Sequence, residues 1–285
     1  MIIGITGPSG AGKTSISKLL KEKLDADIIN ADEIVKEMSV SGTEYFKEIV
    51  KTFGENILLD NGEINKPKLA NIIFSDASQR ELLNSITFKY IVDEIKTKIN
   101  SNKSEIVIID APLLIESRLH EMCDVVISVI VDKDIKLKRI CKRDSIDESN
   151  ALKRIEAQPQ NEFYIKNSNL VIINNKANLE NQIEDIKNLI ESDAIKSKEI
   201  VIIKNEDLKF IQFKKMLEYS ELVHAFTLKS LDFGSNGTYE KIKEEADNNY
   251  KSICKLLNID SKNIIRPYQT HTNNIKEVNE EVRSI

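Results

Sequence analysis

Gly7-Pro8-Ser9-Gly10-Ala11-Gly12-Lys13-Thr14 has the G-x-x-x-x-G-K-[ST] spacing of a phosphate-binding loop. Glycines let successive backbone N–H groups turn inward around a phosphate chain. A helix opening behind such a loop adds the positive end of its dipole. Lys13 supplies a mobile positive charge for β- and γ-phosphates, and Thr14 offers a hydroxyl to Mg2+. Gly7, Gly10, Ala11, Gly12, Lys13, Thr14 and Ser15 are therefore the candidate nucleotide-binding residues. Three further groups bear on what happens to the phosphate. Asp32 follows a short apolar run, where a carboxylate can take the proton of an attacking hydroxyl, or else cap the helix behind it. Asp110 ends the run Ile108-Ile109 and suits the carboxylate that holds a magnesium-bound water, with a cap before Pro112 as the other reading. Arg139 and Arg143 lie four residues apart on one helical face, and Arg154 lies on the next helix. They form either a solvated basic face or a set of guanidinium groups that close over a triphosphate.

These residues need a scaffold that delivers strand ends to one place. Ile2–Thr6 reads as a strand, followed at once by the loop and by a helical pattern through Ile16, Leu19, Leu20 and Leu24. Further strands are expected at 27–30, 105–109, 124–131 and 170–173. Helical patterns separate them at 32–38, 45–53, 68–74, 79–99, 135–142 and 148–157, and 178–191 closes the unit. Near-continuous apolar strands alternating with helices predict a parallel α/β sheet covered on both faces. In such sheets ligands collect at the carboxyl ends of strands. A linker is expected at 194–198, followed by a strand at 199–203, a helix at 213–219, a strand at 223–228 and an amphipathic helix at 239–257.

Composition narrows the class. The chain has 285 residues, 41% hydrophobic and 31% charged, with a net charge of −5, which argues against a general nucleic-acid binder. The longest largely apolar stretch, Val125 to Val131, is too short to span a bilayer. The N-terminus has no basic n-region, so no cleaved signal peptide is expected. Cys123, Cys141 and Cys254 are widely spaced and read as free thiols of a cytoplasmic protein.

Taken together, residues 1–175 resemble the dephospho-CoA kinase family, which phosphorylates a ribose 3′-hydroxyl to complete coenzyme A. The resemblance is carried by the loop, Asn30-Ala31-Asp32-Glu33-Ile34, and Phe53-Gly54-Glu55-Asn56-Ile57-Leu58 leading to Asp60-Asn61-Gly62-Glu63-Ile64. It continues through Leu69 to Phe74, Arg80 to Ile86, and Asp110-Ala111-Pro112-Leu113-Leu114-Ile115-Glu116. Leu137-Lys138-Arg139, Arg143-Asp144, Arg154-Ile155-Glu156-Ala157-Gln158 and Val171-Ile172-Ile173-Asn174-Asn175 complete it. The resemblance implies a P-loop kinase fold with a parallel sheet, a helical acceptor-binding insertion and a lid. It also implies ATP with Mg2+, dephospho-CoA as acceptor, Asp32 as base and Arg143 as a lid contact to ATP. The loop wording, with Pro8-Ser9 and Thr14, stands nearer to uridine kinases. A nucleoside or nucleotide kinase is therefore the alternative, and a non-catalytic ATP-binding scaffold is another.

Residues 210–278 resemble the N-terminal part of the laccase-like, or purine nucleoside phosphorylase, domain family. The matching residues are His224-Ala225-Phe226-Thr227-Leu228, Gly234-Ser235-Asn236 and Pro267-Tyr268-Gln269-Thr270-His271-Thr272. That resemblance makes His271 a zinc ligand, vestigial in this chain, whereas His224 on its own reads as a partly buried structural histidine. The family completes its site with a later Cys and His that do not follow here, so no zinc is expected. The implied organisation is a kinase domain over 1–193, a linker over 194–198 and an incomplete α+β domain over 199–285, through which self-association is an expectation.

Overall fold

The computed structural model describes residues 1–175, 179–205, 208–219 and 222–227, and beyond them 248, 251–255, 257 and 259–260. The first compact unit spans Met1–Phe226. Its strands are β1 (Ile2–Thr6), β2 (Asp27–Asn30), β3 (Val107–Asp110), β4 (Val125–Ile130), β5 (Leu170–Ile173), β6 (Ile200–Asn205) and β7 (Leu208–Phe213), and β8 is Phe226–Thr227. The helices are α1 (Lys13–Leu24), α2 (Ala31–Met38), α3 (Glu44–Phe53), α4 (Lys66–Ser75), α5 (Ala77–Ser101), α6 (Lys133–Asp144), α7 (Glu148–Glu156), α8 (Asn161–Lys166) and α9 (Ile183–Glu191).

The strands form one sheet in the order β2-β3-β1-β4-β5-β6-β7-β8. All pairings from β2 to β6 are parallel, and β6 pairs antiparallel with β7. β1 lies between β3 and β4, in register with Ile5 against Asp110 and Thr6 against Ser128. The parallel strands are apolar almost without a break because helices leave neither face to water. Every residue of β3 and β4 is buried. Ile34, Ile91 and Ile95 from α2 and α5 pack with Ile29, Val107, Ile109 and Leu114 in one core cluster. Tyr45, Ile49, Ile57 and Ile86 make a second cluster that welds α3 to α5 and builds the helical insertion. Ile140, Ala151 and Ile155 make a third, which joins α6 to α7 into the lid.

Most boundaries follow local chemistry. Asn30, Thr43, Asn65, Asp76 and Asp147 each accept a backbone N–H at the start of α2, α3, α4, α5 and α7. α1 has no side-chain cap, and its N-cap residue is Gly12 at φ 92°. Its first N–H groups are therefore left for an anion.

The end of the unit departs from expectation. The sheet does not break at the expected linker. Residues 193–196 form a 3-10 turn that buries Ile195, and β6 then pairs with β5. The compact unit accordingly runs to Phe226, past the boundary expected at 193. β7 alternates buried Leu208, Phe210 and Gln212 with more exposed neighbours, as suits a hairpin strand toward a sheet edge. The helix expected at 213–219 is a 3-10 turn over Lys214–Glu218, and the strand expected from 223 begins only at Phe226, in β8. α9 starts at Ile183, behind a 3-10 turn over Glu180–Gln182. In the second unit, Thr227–Ile285, residues 248 and 251–255 are helical. The rest of the helix expected at 239–257, the Gly234-Ser235-Asn236 loop and His271 fall outside the described residues.

Candidate active site

The phosphate-binding loop sits where β1 turns into α1, and its shape is set by what crowds it. Gly7 takes φ 137°, and a Cβ there would overlap the Val129 carbonyl oxygen of β4. Gly10 takes φ 79°, and a Cβ would lie 3.2 Å from Lys136 O on α6. Glycine is thus required twice over, by conformation and by close approach. Lys13 Nζ donates to Gly7 O at 2.7 Å and to Pro8 O at 3.2 Å, so its ammonium arches back over the loop. Burial pulls this lysine below its ordinary range, while Asp110 and then Asp32 work against that and Arg143 adds to it.

Asp110 closes β3 beside β1 and is buried. Its Oδ2 lies 2.9 Å from Ser17 Oγ on α1. Burial raises its carboxyl above the usual range, against the opposing pull of the Ser17 hydrogen bond and of Lys13. Pro112 begins a run of turns rather than a helix, so Asp110 caps nothing. Asp32 is also freed from capping. Asn30 Oδ1 accepts the Glu33 N–H and caps α2, which leaves the Asp32 carboxylate exposed at the helix start.

The arginines separate on inspection. Arg143 Nη2 donates to Ser9 Oγ at 2.9 Å, and its other contacts go to Asp144 at 2.7 and 2.9 Å. Asp144 also binds Arg154 at 2.6 Å, which anchors Arg154 in the lid. Arg139 Nη1 makes long contacts to Gly10 O and Ala11 O at 3.4 and 3.5 Å. Two residues without a role assigned from sequence complete the frame. Gln158 Oε1 accepts the Ser9 N–H at 3.1 Å, and Asn174 Nδ2 donates to Ala11 O at 2.7 Å.

A cavity of about 860 Å3 joins these groups. The loop, Lys13, Thr14, Ser15, Asp110, Arg139 and Arg143 line one part of it. Asp32, Ile73, Arg80, Asn84, Leu113, Glu116 and Tyr164 carry the lining onward to the helical insertion. The exposed Asp32 carboxylate thus shares one cavity with the phosphate-binding loop. A family model described as dephospho-CoA kinase matches residues 1–181. The chain belongs to the dephospho-CoA kinase family. It is 37% identical over 192 residues to a dephospho-CoA kinase from Fusobacterium nucleatum, covering 67% of this chain and 98% of that one. It is 36% identical over 175 residues to one from Moorella thermoacetica, covering 60% and 82%. The solved structure of TT1252 from Thermus thermophilus shares the fold, with a TM-score of 0.57 at 22% identity over 67% of this chain and 96% of that one.

The family match ends at 181, short of β6 and β7. His224 Nε2 accepts the Phe213 N–H at 2.8 Å, and the two rings stack with centroids 6.4 Å apart. This histidine has a structural task at the sheet edge. Within the family site, Glu116 and Tyr164 were not assigned from sequence. Burial raises the Glu116 carboxyl, and burial together with Glu116 raises the Tyr164 hydroxyl. The signal for them is weak, because each reads as an ordinary helix or turn residue until the chain folds.

Proposed function

We propose that this chain transfers the γ-phosphoryl group of ATP to the ribose 3′-hydroxyl of dephospho-CoA, giving coenzyme A and ADP. Membership of a phosphotransferase family supports the reaction class. The observation that carries the residue assignments is the single cavity lined by Lys13, Asp32, Asp110 and Arg143. Asp32 takes the proton of the 3′-hydroxyl as its oxygen bonds to phosphorus and the bond to the β-phosphate oxygen breaks. The exposed, uncapping carboxylate in the first turn of α2, just past the end of β2, suits that role. Lys13 and Arg143 offset the charge that spreads over the transferred group, and Arg143 reaches it from the lid. The N-terminus of α1, free of a side-chain cap, holds phosphate oxygens.

Mg2+ fits the donor set here: a hydroxyl at Thr14 and a buried carboxylate at Asp110, with no cluster of three metal-ligating side chains among the described residues. Magnesium is held in this way by few protein groups plus phosphates and water, and it supplies charge neutralisation. The expected zinc-free C-terminal region remains a proposal on its motif alone, and so does self-association through it.

Purified protein should form coenzyme A from dephospho-CoA and ATP and leave uridine and adenylate unphosphorylated. Turnover of uridine without turnover of dephospho-CoA would replace this reading with that of a nucleoside kinase. Asp32→Asn should lower kcat by about 10²–10⁴-fold with the fold intact, and full activity would remove the base assignment.

A further inference from the structure

The cavity has two poles of positive charge, and only one is engaged with the phosphate loop. Lys13, Arg139 and Arg143 all touch the loop through the contacts described above. Arg80 is the other cation in the lining. It stands one turn into α5, whose start is fixed by Asp76 accepting the Ser78 N–H at 2.8 Å. Among the described residues the Arg80 guanidinium has no hydrogen bond and no ion pair. Farther along the same helix, Lys89 is tied to Glu48 at 3.1 Å and Lys98 to Glu37 at 3.2 Å. Asn84 follows Arg80 by four residues, which puts both on one helical face. Asn84 also lines the cavity, is half-buried, and has no side-chain partner among the described residues. An exposed arginine fork and a half-buried amide, one helical turn apart and unpartnered among the described residues at the open wall of the cavity, suit a phosphate-type anion.

We propose that Arg80 and Asn84 form the anion subsite of the acceptor and bind the diphosphate that joins its adenosine to the pantetheine arm. This rests on dephospho-CoA being the acceptor. The triphosphate of the donor occupies the loop, so the acceptor's own diphosphate requires a separate cationic partner, and α5 provides it. The arrangement makes acceptor choice depend on a diphosphate that takes no part in the reaction. It therefore separates a diphosphate-bearing nucleotide from a bare nucleoside.

The test measures wild type first, for turnover of dephospho-CoA and for equilibrium binding of dephospho-CoA and of adenosine. Failure of the wild type to phosphorylate dephospho-CoA overturns the acceptor reading and this subsite with it. With wild type active, Arg80→Met should weaken dephospho-CoA binding by about 10- to 100-fold. Its KM for ATP should stay within about twofold and its adenosine affinity should stay unchanged, because neither ligand puts a phosphate at α5. Arg80→Lys should restore part of the loss, as a point charge in place of a fork. Asn84→Asp, which sets a carboxylate against the diphosphate, should raise the KM for dephospho-CoA and leave that for ATP alone. An unchanged dephospho-CoA affinity in Arg80→Met, or an equal loss for adenosine, overturns the subsite and leaves the kinase reading standing.

Discussion

Three glycine-to-alanine changes isolate what holds the phosphate loop in shape. Gly62 and Gly10 have almost the same positive φ, at 80° and 79°. A Cβ at Gly62 meets nothing within 4 Å, so Gly62→Ala carries only the cost of left-handed backbone. That is about 1 kcal/mol, or a fall of roughly 2–4 °C in Tm for a unit of this size. A Cβ at Gly10 lies 3.1 Å from Ile140 Cγ1 and 3.2 Å from Lys136 O, both on α6. Overpacking there adds about 1–3 kcal/mol. Gly7 is of a different kind. At φ 137° its Cβ would overlap the Val129 carbonyl oxygen and lie 3.0 Å from Val129 C. Val129 is the last residue but one of β4, paired with Ile172 of β5, and β4 is held on its other side by β1. Ordinary carbon–oxygen contact is about 3.3–3.6 Å, so the loop must shift by on the order of 1 Å. A shift of that size in a positioning group lowers turnover about 10²-fold. Thermal melts and saturation kinetics on the three variants give the comparison. Gly7→Ala should show the largest loss of kcat/KM for ATP, and Gly62→Ala should keep wild-type turnover. Turnover in Gly7→Ala within tenfold of that in Gly62→Ala would refute the argument that contact with β4 shapes the loop.

Asp110→Asn should trade activity for stability. Burial raises this carboxyl above its unfolded-state value, so the charged form weakens the fold as pH rises through the folded pKa. The variant should melt higher than wild type at pH 8, with the gap closing toward pH 4, while turnover drops. A variant less stable than wild type at pH 8 would contradict this. Asp144→Asn removes the carboxylate that Arg143 and Arg154 share. KM for ATP should rise several-fold with a smaller change in kcat, and an unchanged KM would show that Asp144 does not orient Arg143. Arg143, and then Arg154, hold Asp144 below the usual carboxylate range. Its contribution is therefore present at neutral pH and lost as pH falls through the folded value. Burial pushes the Cys123 thiol up to about 12. Native Cys123, half-buried in the fold, should react with thiol reagents more slowly than the same residue in the unfolded chain, and native labelling as fast as that of the unfolded chain would refute this.

What the sequence disclosed and what it withheld divide along a physical line. The loop was legible because its chemistry is local: eight consecutive residues carry the glycines, the lysine and the hydroxyl. Asp32 and Asp110 were legible because strand ends in a parallel sheet converge. Their capping alternatives stayed open because caps are decided by side-chain direction. The structure settles that point through Asn30, which caps α2 itself. Gln158, Asn174, Arg80, Asn84 and Tyr164 carry no signal of their own, since segments far apart in the chain bring them together only in the fold. A polar pair four residues apart at the start of α5 was visible only as part of a resemblance. β7 was missed because Lys209 and Gln212 interrupt its apolar pattern, and the hairpin is recognised only when β6 is seen to extend the sheet from β5.

The contacts around Lys13 explain why the loop can be ready before a nucleotide arrives. A buried ammonium without acceptors would unsettle the loop. Gly7 O and Pro8 O meet that need at 2.7 and 3.2 Å, and Asp110 and Asp32 supply opposing charge. Binding a triphosphate then exchanges neutral carbonyl acceptors for charged phosphate oxygens, and such charge-assisted bonds are about twice as strong. The same exchange strengthens what Arg143 makes from the lid, whose present partner on the loop is the neutral Ser9 hydroxyl. Donor binding thus improves contacts that already exist on both sides of the loop. In the proposed reaction the acceptor gains no such benefit there, because the loop's cations serve the donor. Recognition of a second anionic substrate must come from the helical insertion, and that is where the remaining lining arginine stands.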